Sequence, residues 1–379
     1  MQEKIRFVRL SSGEAQMCSR ANRFALHVFK YTIEAVGNKS LTLSPLSMIY
    51  SLGMINNGAE GNTSRQICKI TGFTSGTDSI NAFFHKIMNE FGYIDSTTTM
   101  DIANAAIINE NLKIKDCFVD ALKNYYEAMT DVSNFNKNNI VNKVNVWCAE
   151  KTDGMIDNIS PDDAVIIVNA VYFKGLWKNK FNKADTKNDK FKAADGIVRN
   201  VDMMQKTDCE QYAENKTFSA VSMRYGNGHY SMQIILPKEG KSISDVIETI
   251  NKKEWKNIVD NMESGKINMM MPRFSIEYAQ ELKGMFADMG ADDMFNRKKA
   301  DMSKLCESNA WISSIIHKAK IEVDEEGTKA AAATGAVTIG AFDIEKAQTI
   351  KFKADRPFLF VITERNTGMI CFIGQYTGI

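Results

Sequence analysis

The alternation of hydrophobic and polar positions changes rhythm several times along the chain, and each change marks an element. From Asn22 to Val36 the apolar residues Phe24, Ala25, Val28, Phe29 and Ile33 recur at helical spacing, and Gly37-Asn38 offers a stop. Leu41 to Ser47 leads into a second helical pattern running through Met54, with Ser44 as a capping hydroxyl and Pro45 in the first turn. Met100 to Ile108 alternates small and apolar residues, as a strand does, and Phe118 to Tyr126 returns to an amphipathic helix. Ala164 to Tyr172 is an almost unbroken apolar run, which predicts a strand buried on both faces. Asn169 is the one strongly polar side chain in that run, and a buried amide needs a partner. Ser219–Tyr225 and Tyr230–Leu236 form a hairpin pattern across Gly226-Asn227-Gly228. Strand patterns follow at Ile267–Met271, Phe274–Tyr278, Phe358–Ile362 and Met369–Ile373, with a helix at Leu282–Met289 stopped by Gly290. Helices and strands mix without a regular βαβ rhythm, so the fold class is α+β.

One stretch fits neither rhythm. Asp324 to Ala341 contains a run of good helix formers, Lys329 to Ala333, but no apolar stripe at helical spacing. Gly327, Gly335 and Gly340 interrupt it, and Val337-Thr338-Ile339 favours a strand. At a period of two, one face carries only Thr328, Ala330, Ala332, Thr334, Ala336 and Thr338, all small. The other face carries Lys329, Ala331, Ala333, Gly335, Val337 and Ile339. A strand of this kind could enter a crowded sheet without a clash. The same residues also fit a small-residue linker or a poorly packed helix. The segment lies between strand patterns, Thr349–Lys353 following it, and structureless connections of that length are usually functional.

Composition narrows the classes. The chain of 379 residues carries a formal charge of +1, with no long basic or acidic run to suggest nucleic-acid binding. No apolar run reaches membrane-spanning length, and no linker divides the chain, so residues 1–379 read as one domain. The seven cysteines are scattered with no CxxC, which points to buried free thiols rather than disulfides or zinc. The four histidines, His27, His85, His229 and His317, stand in no metal-ligand or catalytic spacing, and neither a G-x-S-x-G elbow nor a P-loop is present. Adjacent carboxylates such as Asp162-Asp163, Asp292-Asp293 and Glu325-Glu326 do not face a common substrate. No catalyst, metal or cofactor is expected. Met1-Gln2-Glu3-Lys4 lacks the apolar core of a secretion signal.

Glu325-Glu326-Gly327-Thr328-Lys329-Ala330-Ala331-Ala332-Ala333-Thr334 resembles the hinge of the reactive-centre loop in inhibitory serpins. Ala354-Asp355-Arg356-Pro357-Phe358 resembles the family segment after that loop, and the likeness continues from the Asn22 helix through Val144–Ile156 to the C-terminal strands. The resemblance implies a serpin fold of three sheets, about eight or nine helices and an exposed reactive-centre loop at about 325–350. It places Ser44, Ser47, Asn169 and His317 in a network called the shutter. Trp177 falls at the breach, where loop insertion begins.

The resemblance also implies a function: a protease inhibitor that is cut like a substrate, and no enzyme. The family's usual spacing from the hinge glutamate, counted from Glu325, ends at Ala341, giving Ala341–Phe342 as the reactive bond and an elastase-like target. A shift of one residue gives Phe342–Asp343 and a chymotrypsin-like target. A non-inhibitory serpin acting as a carrier or chaperone is the other alternative, against which the small run Ala330 to Ala333 speaks. The expected partner is a serine protease bound covalently by a monomer, with no nucleic acid or membrane. The family favours an extracellular location with the export signal missing from this chain, and the cytoplasm is the alternative.

Overall fold

The computed structural model describes residues 7–135, 163–251, 255–328 and 348–379. In chain order the elements begin with α1 (Ser12–Val36), β1 (Leu41–Leu43), α2 (Pro45–Gly58), α3 (Gly61–Thr71), α4 (Thr77–Tyr93), β2 (Thr98–Asn109), α5 (Asp116–Tyr126) and β3 (Met129–Ser133). The middle supplies β4 (Val165–Leu176), β5 (Lys187–Lys192), β6 (Val198–Glu214), β7 (Phe218–Arg224) and β8 (Tyr230–Pro237). Then come α6 (Ile243–Asn251), α7 (Trp255–Asp260), β9 (Glu263–Pro272), β10 (Phe274–Glu281), α8 (Lys283–Asp288) and β11 (Ile312–Val323). The chain ends with β12 (Gly327–Thr328), β13 (Ile350–Lys353), β14 (Phe358–Glu364) and β15 (Met369–Tyr376). The Val144–Ile156 pattern lies outside the described residues, as do Cys148 and the loop from Lys329 to Phe342.

Local chemistry accounts for most boundaries. Helix α1 starts ten residues before the expected Asn22 because Ser11 and Glu14 form a reciprocal capping box. Helix α2 starts where expected, with Ser44 capping and Pro45 in the first turn. It runs on to Gly58 and buries every residue except Asn57, as a helix apolar on all sides must.

Among the described residues the strands form two hydrogen-bonded sheets. One orders β10-β11-β12-β4-β2-β3, with β11 also pairing directly to β4. The other runs β1-β15-β14-β8-β7-β6-β9-β13, with β5 added to β6. The family resemblance implies three sheets, and β6 is where two of them run together. This long strand pairs with β5 through Val198–Met203, with β9 through Met203–Tyr212 and with β7 through Gln211–Glu214. It thereby joins two sheets into one ladder.

Strand β4 is covered on both faces, as its almost unbroken apolar run predicts. Val165, Ile167 and Val171 join the main core, whereas Ile166 and Val168 pack with Ala105, Ile107 and Phe135 on the opposite side. Cys18, Cys306 and Cys371 are buried free thiols, but Cys117 is exposed and Cys68 and Cys209 are half-buried. The expectation of buried thiols therefore holds for only part of the set.

Strand β15 is squeezed between β1 and β14, and Gly374 faces Thr42 on one side and Phe360 on the other. A Cβ there would lie 2.2 Å from the Phe360 ring and 2.5 Å from the Leu41 carbonyl oxygen. The ring could swing, but the carbonyl is fixed in the ladder. Gly374→Ala is expected to lower stability by about 1–3 kcal/mol through overpacking. The unfolding midpoint in urea measures it, and an unchanged midpoint would show that the sheet relaxes around the added methyl.

Candidate functional site

The central feature of the six-stranded sheet is a seam that is closed below and wedged open above. Strands β11 and β4 pair directly and in parallel from Ile312↔Val165 to Lys320↔Tyr172. Beyond that point they part, and the short β12 lies between them. Gly327 faces Leu176, Thr328 faces Gly175, and Thr328 also faces Val323. Both contacts of β12 are antiparallel, so the wedge follows a different hydrogen-bond pattern from the seam below it.

A tight turn returns the chain from β11 into the wedge. The Asp324 carboxylate Oδ1 accepts from the backbone N–H of Glu326 at 2.8 Å and of Gly327 at 3.1 Å. The Asp324 N–H donates to the Gly327 carbonyl at 2.9 Å. An aspartate suits the first position of such a turn because its short side chain reaches its own backbone two residues on. Gly327 is required by close approach. A Cβ there would stand 2.1 Å from the Gly175 carbonyl oxygen and 2.8 Å from the Leu176 Cα.

The floor of the wedge is aromatic. Thr328 is fully buried, and its Oγ1 lies 2.7 Å from the Tyr225 hydroxyl. Tyr225 stacks on Trp177 with centroids 4.4 Å apart, and Phe173 meets Tyr225 edge-on at 5.0 Å. The Trp177 indole N–H donates to the Asp324 carbonyl at 2.8 Å, and its backbone N–H donates to the Glu326 carbonyl at 2.9 Å. Trp177 therefore holds the turn from beneath at two points.

The two adjacent glutamates of the turn, Glu325 and Glu326, are treated differently. Glu325 is buried; it accepts from the Thr186 hydroxyl at 2.7 Å and has Arg273 at 3.9 Å. Glu326 points outward to Lys180 at 2.5 Å and Lys183 at 3.6 Å. The Lys180 hydrogen bond leads the causes that hold the Glu326 carboxyl below its ordinary range.

Below the wedge, His317 sits in β11 with Asn169 as its neighbour across the seam. The Ser44 backbone N–H donates to His317 Nε2 at 3.2 Å, so that nitrogen is the acceptor. Nδ1 then carries the proton and donates to the Ser47 hydroxyl at 3.1 Å. The Ser44 hydroxyl donates to the Cys371 carbonyl at 2.8 Å, tying the cap of α2 to β15. His317 is fully buried, and loss of hydration pushes its pKa down to about 3.

Ser44, Ser47 and His317 thus meet in one cluster. Asn169 reaches the other way, its amide donating to Asn104 Oδ1 at 2.6 Å, and the Asn104 amide donates in turn to the Tyr126 carbonyl at 2.9 Å. Sequence reasoning passed over Asn104, Tyr225 and Asp324 as partners. Asn104 had a signal, being a lone amide in the alternating Met100–Ile108 run opposite another lone amide. Ala330, Ala331, Ala332, Ala333, Thr334, Ala341 and Phe342 lie outside the described residues. Among the described residues, no group of three His, Cys, Asp or Glu is placed to hold a metal.

The buried imidazole sets an acid sensitivity. The unfolded chain takes up this proton near the ordinary value of about 6.5, and the folded chain only near 3. The unfolded state therefore binds more protons across that window. The contribution of His317 to stability is complete above about pH 6.5 and is lost as pH falls toward 3. His317→Gln is expected to lower the melting temperature at pH 7 but to fall less steeply than the parent between pH 7 and pH 4.5. Equal slopes would assign the acid sensitivity to other groups.

Comparison with known proteins accounts for this architecture. Residues 19–379 match the family model described as serpin (serine protease inhibitor). Human Serpin B11 is 30% identical, covering 94% of this chain and 98% of that protein. Rat glia-derived nexin is 30% identical over 92% of this chain and 90% of its own length. The native structure of the thermophilic serpin tengpin superposes with a TM-score of 0.87 at 29% identity, covering 100% of this chain and 96% of the other. A match along nearly the whole length, reached equally by sequence and by backbone, shows that the chain belongs to the serpin family.

Proposed function

We propose that this chain inhibits a serine protease by acting as a suicide substrate, with the wedge at β12 as the starting point for strand insertion. Serpins as a family are protease inhibitors rather than enzymes, and in general they form complexes with serine proteases. The observation that carries the reading is the two-residue β12, already paired to both β4 and β11 above a seam where those strands touch directly. A protease attacks the exposed loop and forms an acyl-enzyme. Once the loop is cut, the segment continuing from Thr328 extends the wedge downward as an added strand.

The energetics favour that direction. Insertion replaces one parallel ladder with two antiparallel ones, and antiparallel pairing is slightly the more stable per residue. Residues 328–341 extend over roughly 46 Å at about 3.3 Å each. At about 1 kcal/mol net per added hydrogen bond, a full strand gains on the order of 10 kcal/mol. The intact fold is then a kinetic trap. The attached protease is carried the length of the sheet before it can deacylate.

The reactive bond in this reading is Ala341–Phe342. Alanine suits a shallow primary pocket, and a cut after Phe342 would place the Asp343 carboxylate beside the active site. The protein is expected to form an SDS-stable adduct with elastase faster than with chymotrypsin. Denaturing that adduct should free a C-terminal fragment beginning at Phe342. A fragment beginning at Asp343 assigns the chymotrypsin-like register, and cleavage by both enzymes without any adduct rejects the inhibitory reading.

The buried Thr328 provides a second test. Thr328→Arg would force a charged side chain against Tyr225, where desolvation costs several kcal/mol. The variant is expected to be cut at the same bond yet to hold no protease. Trapping at the parent's stoichiometry would show that this position does not face inward during insertion.

A further inference from the structure

Three cations from distant parts of the chain converge beside the breach. Lys178 follows Trp177, Arg224 ends β7, and Arg365 lies in the turn after β14. Backbone geometry brings them together. The Lys178 N–H donates to the Arg224 carbonyl at 2.9 Å, and the Arg365 N–H donates to the His229 carbonyl at 2.8 Å. Arg365 Nη1 also donates to the Gly228 carbonyl at 3.0 Å. Gly228 has φ +96°, and a Cβ there would lie 3.6 Å from Arg224 Cδ and 3.9 Å from Arg365 Nη1. The Arg224 stem and the Arg365 guanidinium therefore flank one glycine.

The carboxylates that face this cluster are already engaged. Glu210 pairs with Lys206 at 2.7 Å, Asp260 with Lys256 at 2.8 Å, and Glu364 accepts from Thr367 and Asn366 in its own turn. Among the described residues, no ion pair joins Lys178, Arg224 or Arg365 to a carboxylate. Beyond the Gly228 carbonyl, the Arg365 guanidinium makes a long contact from Nη2 to the Gln211 side-chain Oε1 at 3.5 Å. Burial first, and then the Arg224 charge, holds both Lys178 and Arg365 below their ordinary pKa. In the same turn, the buried His229 leaves Nε2 without a hydrogen-bond partner. All three cations are half-buried.

Like charges held together without a counter-charge are costly, and an arginine fork matches a tetrahedral oxyanion in two parallel hydrogen bonds. We propose that Lys178, Arg224 and Arg365 form a binding site for a phosphate or sulfate group, free or carried on a larger molecule. Its occupation stabilises the native chain, because Lys178 and Arg224 adjoin the stacked Trp177 and Tyr225. The site is independent of the inhibitory reading.

Inorganic phosphate and tripolyphosphate, each titrated at constant ionic strength, test the site by melting temperature and by calorimetry. The parent is expected to show a saturable rise in melting temperature with each ligand. Arg224→Gln and Lys178→Gln should remove the rise, whereas Lys123→Gln, on the exposed face of α5, should keep it. Arg224→Gln should melt no lower than the parent in the absence of phosphate, because it removes repulsion. Tripolyphosphate binding tighter than its number of phosphates accounts for would identify linked phosphates as the natural form, and equal binding per phosphate would identify the free ion. A rise that is linear, or the same in Arg224→Gln, Lys178→Gln and the parent, overturns the proposal, since that is a general salt effect on the folded state.

Discussion

The direct parallel pairing of β11 with β4 is the constraint on which the central sheet depends. Its hydrogen bonds are slanted and individually weaker than antiparallel ones, and a competing strand already occupies its upper end. The neighbours of the seam help to keep it shut. His317 is locked as a neutral donor and acceptor between the cap of α2 and the Ser47 hydroxyl, so β11 cannot slide without breaking two hydrogen bonds in a dry site. On the other bank, Asn169 is tied through Asn104 to the end of α5. The two banks are anchored to different helices.

Much of this was legible in the sequence because burial writes itself into apolar runs. The almost unbroken run at Ala164–Tyr172 announced a strand covered on both faces, and Ser44-Pro45 marked the start of a helix whose cap turned out to serve a second purpose. The small-faced stretch from Thr328 pointed to a strand-like segment, and its first residue is fully buried in the sheet. The reading of Glu325 to Thr328 as a hinge came from the resemblance to inhibitory serpins, since composition and spacing alone also fit a linker or a poorly packed helix.

What the sequence withheld were partnerships between residues far apart in the chain. Tyr225 reads as the last residue of a hairpin strand, and nothing local says that it will lie under Trp177 and touch Thr328. The direction of the Asn169 amide was open because it has two neighbours in the sheet, the His317 imidazole on one side and the Asn104 amide on the other, and it donates to Asn104. Only the direction of the side chain decides between them. The merging of two sheets through β6 was hidden for a similar reason: a long strand looks the same whether it serves one ladder or three.

The loop also joins two different sheets. Its entry, β12, belongs to the six-stranded sheet, while its exit, β13, is zipped in parallel to β9 of the nine-stranded one. Downstream of that exit, β14 and β15 lie in the interior of the nine-stranded order, between β8 and β1. A severed C-terminal piece would carry these two strands together with β13, and removing it would split the larger sheet. The nicked protein should therefore behave as one particle made of two chains, undivided by gel filtration under native conditions and separable only once the sheet is unfolded.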